Sequence, residues 1–363
     1  MNNHASPLAR RRVQLILAGL AVALPSLRFA QAQAKPGTRD VYVYQGPDRD
    51  QRLLENARKE GVVSIYTVIN LKDSIPLTEA FEKKYGVKTQ LWRASSEKVL
   101  QRSLTEARGG RFTADVYEAN GPEIEVLHRE KLLEDFYSPS FKDIPPEAFP
   151  KHRQWVPDRF NFFVFGYNTN LVKPAEVPDS YEDLLNPRWM GKLGLAAYDS
   201  DWFSAVVKAM GEEKGLAFFR KLAEMKPQLR TGHSLISEMI ASGELPAAIV
   251  HNHNIERLID KGAPVKWKPL QPTIGRPSGI GVAKNAPHPH AALLFTDFLL
   301  SREGQQLIKE RNRVPSSTAV NSSLNNFKYQ MMDASIMVDE ADKWDNLWSQ
   351  LFLKGQAIKK EAD

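Results

Sequence analysis

From about residue 60 onward, two hydrophobic periods alternate along the chain, and each switch predicts a change of element. GVVSIYTVIN, residues 61–70, is a dense β-branched run that predicts a buried strand. The next segment, DSIPLTEAFEKKYG, places Leu77, Phe81 and Tyr85 on one helical face, with Asp73 or Ser74 as cap and Gly86 as stop. VKTQLW from Val87 to Trp92 predicts a second strand, Ser95 and Ser96 open a helix reaching about Arg108, and ADVYEAN from Ala114 to Asn120 predicts a third strand. NFFVFGYNTNLV from Asn161 to Val172 is strand-like again and lies between two proline-rich stretches, which suits a passage between lobes. A second α/β series follows: GKLGLAA from Gly191, helices over Phe203 to Lys221, a helix from Ile236 ended by Gly243, and a strand from Leu245 to His251. SGIGVAKN from Ser278 predicts a strand crossing back, two close helices come next, and the last thirty residues are helical in pattern, with Met337, Trp344, Trp348 and Leu351 as packing positions. Repeated strand and helix predict α/β sheets with the loops gathered at one edge.

The first 34 residues break this pattern. Arg10, Arg11 and Arg12 precede an apolar stretch from Val13 to Leu27, and small residues from Ala30 to Ala34 follow, the order of an export signal. Cleavage is expected after Ala34 or Ala32, by the general secretory or the twin-arginine route. The apolar run is short of the roughly 20 residues a membrane span needs. Export places the working protein in the periplasm. Subtracting the four arginines of this segment brings the formal charge from +6 to +2, which gives no support for nucleic-acid binding. The chain has no cysteine, so disulfides, thiolate metal sites and a cysteine nucleophile are excluded. No HExxH, GxSxG or Gly-rich nucleotide loop is present, which argues against an enzyme such as an exported metal-dependent hydrolase.

The order of these segments resembles the extracellular solute-binding proteins, family 1, in the subfamily of the ferric-ion-binding receptors of ABC importers. The resemblance rests on the strand ending Ile-Tyr-Thr, LTEAFEKKYGVK, ADVYEANG, FGYNTNLV, NPRWMGK, ASGELPAAI and FTDFLLSREGQQLI, and covers about Gly61 to Pro315. It implies a two-lobed periplasmic-binding-protein fold of type II, an α/β fold with the ligand cleft between lobes joined by crossing hinge segments. The implied divisions are a signal peptide at 1–34, an N-terminal leader at 35–58, one lobe from 59–158 with 284–330, a second from 159–283, and a helical tail, 331–363, packing on the second lobe. It also implies a monomeric, non-catalytic receptor without cofactor, whose partners are a small-molecule ligand and an ABC permease in the inner membrane. A sensing role in place of transport stays open.

Ferric-binding members carry a histidine after the first strand, a carboxylate after the third and a tyrosine pair in the second lobe. At these positions the chain has Asn70, Asn120, and His253 with Asn254. Such residues give no anionic oxygen to neutralise ferric iron, a hard cation, but they orient a polar organic solute well. The ligand favoured is therefore an organic anion such as a phosphonate, phosphate ester or carboxylate, with a metal or metal chelate as the alternative. Ser95 and Ser96 at a helix start, with Arg93 beside them, suit an anionic group. Their plainer use is a helix cap and a surface charge. Thr67 projects from the first strand's end; Tyr167 and Tyr198 lie near loop edges, as does Tyr117, and Arg159 stands before the crossing strand. The expected ligand-binding set is Thr67, Asn70, Arg93, Ser95, Ser96, Asn120, Tyr167, Tyr198, His253 and Asn254. His251 and His253 would share one face if the segment stays extended, a weak metal alternative.

Overall fold

The computed structural model describes residues 37–354. The expected export segment and its cleavage sites lie outside the described residues. Two helices, α1 (Thr38–Tyr42) and α2 (Arg49–Glu60), open the description. The sequence pattern had placed no element over this leader. Both helices are anchored: the buried Tyr42 hydroxyl donates to the Ala283 carbonyl at 3.0 Å, and Arg49 pairs with Asp297 at 2.7 Å.

Next come β1 (Val62–Thr67), α3 (Leu71–Tyr85), β2 (Lys88–Arg93), α4 (Ser96–Arg108), β3 (Val116–Asn120), α5 (Gly121–Arg129) and β4 (Val156–Asn168). The second series is β5 (Leu193–Ala196), α6 (Ser200–Met210), α7 (Glu212–Glu224), β6 (Gln228–Arg230), α8 (His233–Ser242), β7 (Ala247–His251), α9 (Asn252–Ile259), β8 (Val265–Lys268) and β9 (Ile274–Val282). The chain closes with α10 (Pro289–Leu300), α11 (Arg302–Glu310), β10 (Val314–Pro315), β11 (Gln330–Met331), α12 (Ala334–Asp339) and α13 (Ala341–Phe352). No helix among the described residues is long and apolar enough to cross a membrane.

All eleven strands belong to one mixed sheet, ordered β2-β1-β3-β9-β4-β7-β5-β6, with β8 and β10 on β4 and β11 on β9. Its wings are parallel, β1 with β2 and β3, and β5 with β6 and β7. Its middle is antiparallel, where β4 and β9 pair with each other and join the wings through β7 and β3. One core gathers Val63, Phe81, Val116 and Phe298 around the first wing; another gathers Phe163, Trp202, Phe203, Phe219 and Trp348 around the second. Burying such aromatic side chains contributes roughly 1.5–3 kcal/mol each.

Several boundaries differ from expectation for local reasons. α3 starts at Leu71, ahead of the expected caps Asp73 and Ser74, because the Asn70 side chain accepts the Asp73 amide at 3.1 Å. The helices expected over Phe203 to Lys221 are α6 and α7, which together start earlier and end later and divide at Gly211, whose φ of 87° a side-chain-bearing residue rarely adopts. β4 begins at Val156 rather than near Asn161, so Arg159 lies inside the strand, beside a register shift between Pro157 and Arg159. Pro157 has no amide to give the ladder, which suits an irregularity there.

Candidate functional site

Six strands of the two parallel wings run straight into helices: β1 to α3, β2 to α4, β3 to α5, β5 to α6, β6 to α8 and β7 to α9. Every one of these switches contributes residues to a single cavity of about 460 Å³. Ligands of open α/β sheets sit beyond the carboxyl ends of the strands, and helix starts present unpaired N–H groups and positive dipole ends there. The cavity is therefore a product of topology before any side chain is considered.

Of the ten expected site residues, Asn70, Arg93, Ser95, Ser96, Asn120, Tyr198, His253 and Asn254 line this cavity. Several also hold the fold. Asn70 caps α3, and Ser95 accepts the Lys98 amide at 3.4 Å as cap of α4. The Ser96 hydroxyl donates to Glu123 at 2.9 Å and accepts the Asn120 amide at 3.1 Å. The Asn120 side-chain Oδ1 accepts the Ser278 hydroxyl at 3.3 Å.

Two expected residues lie elsewhere. Thr67 is buried behind the cavity, its hydroxyl donating to Glu118, because residues 67–69 wrap that carboxylate: Val68 and Ile69 amides donate to it at 3.0 and 3.2 Å. Tyr167 stacks on Phe165 in the far half of β4, among the second core's residues, away from the strand ends. Tyr117 is likewise packed against Tyr66, with its hydroxyl pKa raised by burial.

Arg159, singled out from the sequence, lines the cavity; Arg257, Arg276 and Arg313, which were not foreseen, line it as well. Arg159 is wholly buried and its Nη1 donates to Glu118 at 2.5 Å and Asp158 at 2.8 Å. Arg276 donates to Asp201 at 3.0 Å. Arg257 and Arg313, however, share one acceptor: Arg257 Nη2 and, at 2.9 Å, Arg313 Nε both donate to Oδ2 of Asp73. Burial, then the neighbouring Arg257 and Arg159, push the Arg313 pKa down to about 10 against the pull of Asp73. Arg313 Nη1 also donates to His253 Nε2 at 3.0 Å, which fixes that imidazole as neutral with its proton on Nδ1. Burial, then Arg313 and Arg257, hold the His253 pKa well below its ordinary value. No sequence signal marked Arg257 or Arg313; one lies in the second turn of α9 and the other beyond α11, and only the fold brings them together.

The condition for a His251 and His253 chelate is not met. His251 ends β7 and α9 begins at Asn252, so the pair is not extended; the rings stack at 5.4 Å, and His251 lies 3.9 Å from His233, which bonds Asp199 at 3.1 Å. Among the described residues one histidine and carboxylate cluster has ligand atoms within 4.8 Å of one another, Glu125, His128 and His152. It stands outside the cavity lining. There the Gln154 amide donates to His152 Nδ1, so Nε2 carries the proton given to Glu125 at 2.9 Å, and that face is a hydrogen bond rather than an open lone pair.

A family model described as bacterial extracellular solute-binding protein matches residues 124–343. The chain is 24% identical over 269 residues to the Fe(3+)-binding periplasmic protein of Serratia marcescens, covering 68% of this chain and 76% of that one. It is 25% identical over 326 residues to a putative 2-aminoethylphosphonate-binding periplasmic protein of Salmonella typhimurium, covering 84% and 90%. The fold matches that of iron-bound HitA from Pseudomonas aeruginosa with a TM-score of 0.70 at 20% identity, over 80% of this chain and 99% of that one. The residue order, the mixed sheet and the cavity at its strand ends thus meet in one family, whose members bind and do not catalyse: the chain belongs to the bacterial extracellular solute-binding proteins.

Proposed function

We propose that this protein is the periplasmic receptor that delivers a small anion to an ABC permease, closing two lobes over it. The lobes would be residues 59–158 with 284–330 and residues 159–283, with β4 and β9 as the crossing segments and residues 331–363 as a tail. The observation that carries the anion reading is the pair Arg257 and Arg313 on the single carboxylate of Asp73: two half-buried cations meet one buried anion. An oxyanion there gains charge-assisted hydrogen bonds and offsets the positive charge that Arg257 and Arg159 add to the burial of Arg313. Neighbouring His253, Asn254 and Asn70 supply orienting polar groups, and the converging helix starts add to the field. A phosphonate, phosphate ester or carboxylate fits this chemistry.

A second reading, a ferric ion or ferric chelate, draws more support from the relatives, since two of the three named above carry iron in their descriptions and one a phosphonate. Of the carboxylates that line this cavity, Asp201, Glu123 and Asp345 are engaged with Arg276, Ser96 and Ser200, partners that a bare ferric ion would have to displace. An anionic chelate, which brings its own oxygens, fits the guanidinium corner better than the free ion. The deciding experiment is thermal unfolding of the mature, ligand-stripped protein with phosphonates, phosphate esters, carboxylates, ferric ion and ferric citrate. A ligand at about 100 times its Kd adds about 2.7 kcal/mol, a shift of several degrees. Stabilisation by an organic anion upholds the first reading; stabilisation by ferric ion alone, with no effect of any anion, refutes it.

A further inference from the structure

The cationic corner occupies part of a cavity far larger than one inorganic oxyanion. Its volume of about 460 Å³ lies in the range that holds organic ligands. Another part of the lining is apolar. Leu100 of α4, Val126 of α5, Met337 and Val338 of α12 and Ala341 of α13 all reach it and are only half-buried. These helices form one continuous wall. Arg129 of α5 pairs with Asp339 of α12 and donates to the Ser335 carbonyl at 3.1 Å, while the Ser335 hydroxyl donates to Glu125 at 3.0 Å. At the other end of the wall, α13 is held to α6 by the Ser200 hydroxyl donating to Asp345. Those polar contacts fix the wall; Leu100 and Met337 also pack against the two cores, and all five side chains keep part of their surface on the cavity. None of these four helices supplies a residue of the Arg257, Arg313 and His253 corner.

Apolar surface left exposed inside a binding cavity weakens nothing if the ligand covers it, and contributes nothing to holding a bare phosphate or metal ion. We propose that the ligand is an anion carrying an apolar arm, hydrocarbon or aromatic, whose charged end sits on Arg257 and Arg313 and whose arm lies along Leu100, Val126, Met337 and Val338. This deepens the anion reading above and rests on it. The C-terminal helices, at the far end of the chain from the first wing's strands, then set ligand selectivity.

The test is isothermal titration of the full mature, ligand-stripped chain with phenylphosphonate and with methylphosphonate, which share the head group and differ in the arm. Phenylphosphonate is expected to bind about tenfold or more tighter, the discrimination an apolar pocket gives for added carbon. Val338→Asn is expected to bring the ratio of the two affinities towards one, and Met337→Leu, which keeps the wall apolar, to preserve it; thermal melts check that both variants fold. Equal affinities in the unsubstituted chain, or a ratio that survives Val338→Asn, overturn the apolar arm while the anion receptor stands. Binding of neither phosphonate, with binding of ferric ion, removes the anion reading and this inference together.

Discussion

Replacing Arg159 by Met removes the only cation that Glu118 and Asp158 are bonded to among the described side chains, at a place from which water is excluded. Arg159, Glu118 and Asp158 are 3, 1 and 0% exposed. Nη1 of Arg159 bridges the two carboxylates at 2.5 and 2.8 Å. Losing one partner of a buried ionic group costs about 3–5 kcal/mol, because the remaining charges keep their desolvation penalty. That is a large part of the roughly 5–15 kcal/mol by which folded proteins are stable. It corresponds to a fall in Tm of roughly 6–20 °C at about 2–4 °C per kcal/mol. The penalty also has a pH signature. Burial raises the Asp158 pKa to about 7, with Arg159 drawing it down and Glu118 adding to the rise. A carboxyl group whose folded pKa exceeds its unfolded value holds a proton in the folded state that the unfolded chain gives up, so its contribution to stability is greatest at low pH and is lost as pH rises through 7. Without Arg159 the cost of ionising Asp158 grows. The Tm gap between parent and Arg159→Met should be smaller near pH 5, where Asp158 is protonated and Glu118 alone loses its cation, and full near pH 8. Differential scanning calorimetry at the two pH values decides it; an equal gap at both, or none at pH 8, refutes the buried-charge account.

Arg313→Ala should weaken a bound organic anion by about 1.5–3 kcal/mol, the range of a charged hydrogen bond, in isothermal titration, and unchanged affinity would remove Arg313 from the site. Burial first, then the arginines, holds His253 neutral, with Nε2 taken by Arg313 and the proton on Nδ1. Affinity for benzenesulfonate, whose charge is constant, should therefore stay flat from about pH 8 to pH 5.5, with an enthalpy independent of the buffer; a rise towards pH 5.5 that His253→Asn removes counts against it. Trp348→Ala should cost about 3–5 kcal/mol in denaturant unfolding, because Trp348 is buried against Trp202, Phe203 and Phe352 and its Nε1 donates to the Ala197 carbonyl at 2.8 Å; a neutral change would show that α13 is not part of the core.

The elements themselves were legible in the residues, because period and caps are local properties. Strand β1, the stop of α3 at Gly86, the start of α4 at Ser96 and the end of α8 at Gly243 could all be read from spacing and from one glycine or serine each. Eight of the expected site residues face the cavity for the same reason: each stands where a strand hands over to a helix, and such hand-overs gather at one edge of a parallel sheet. Thr67 and Tyr167 show the limit of that rule. A residue at a strand end can turn inward to a buried carboxylate, as Thr67 does to Glu118, and a residue in a long strand such as β4 can lie at the wrong end of it. Residues distant along the chain carry what the sequence could not show. Asp73, Arg257 and Arg313 belong to three separate segments, and the apolar wall joins α4 and α5 to α12 and α13. Local sequence sets the conformation of each segment, but a charge has no partner and an apolar side chain no cavity until packing fixes distances between segments, and those distances decide the chemistry of the site.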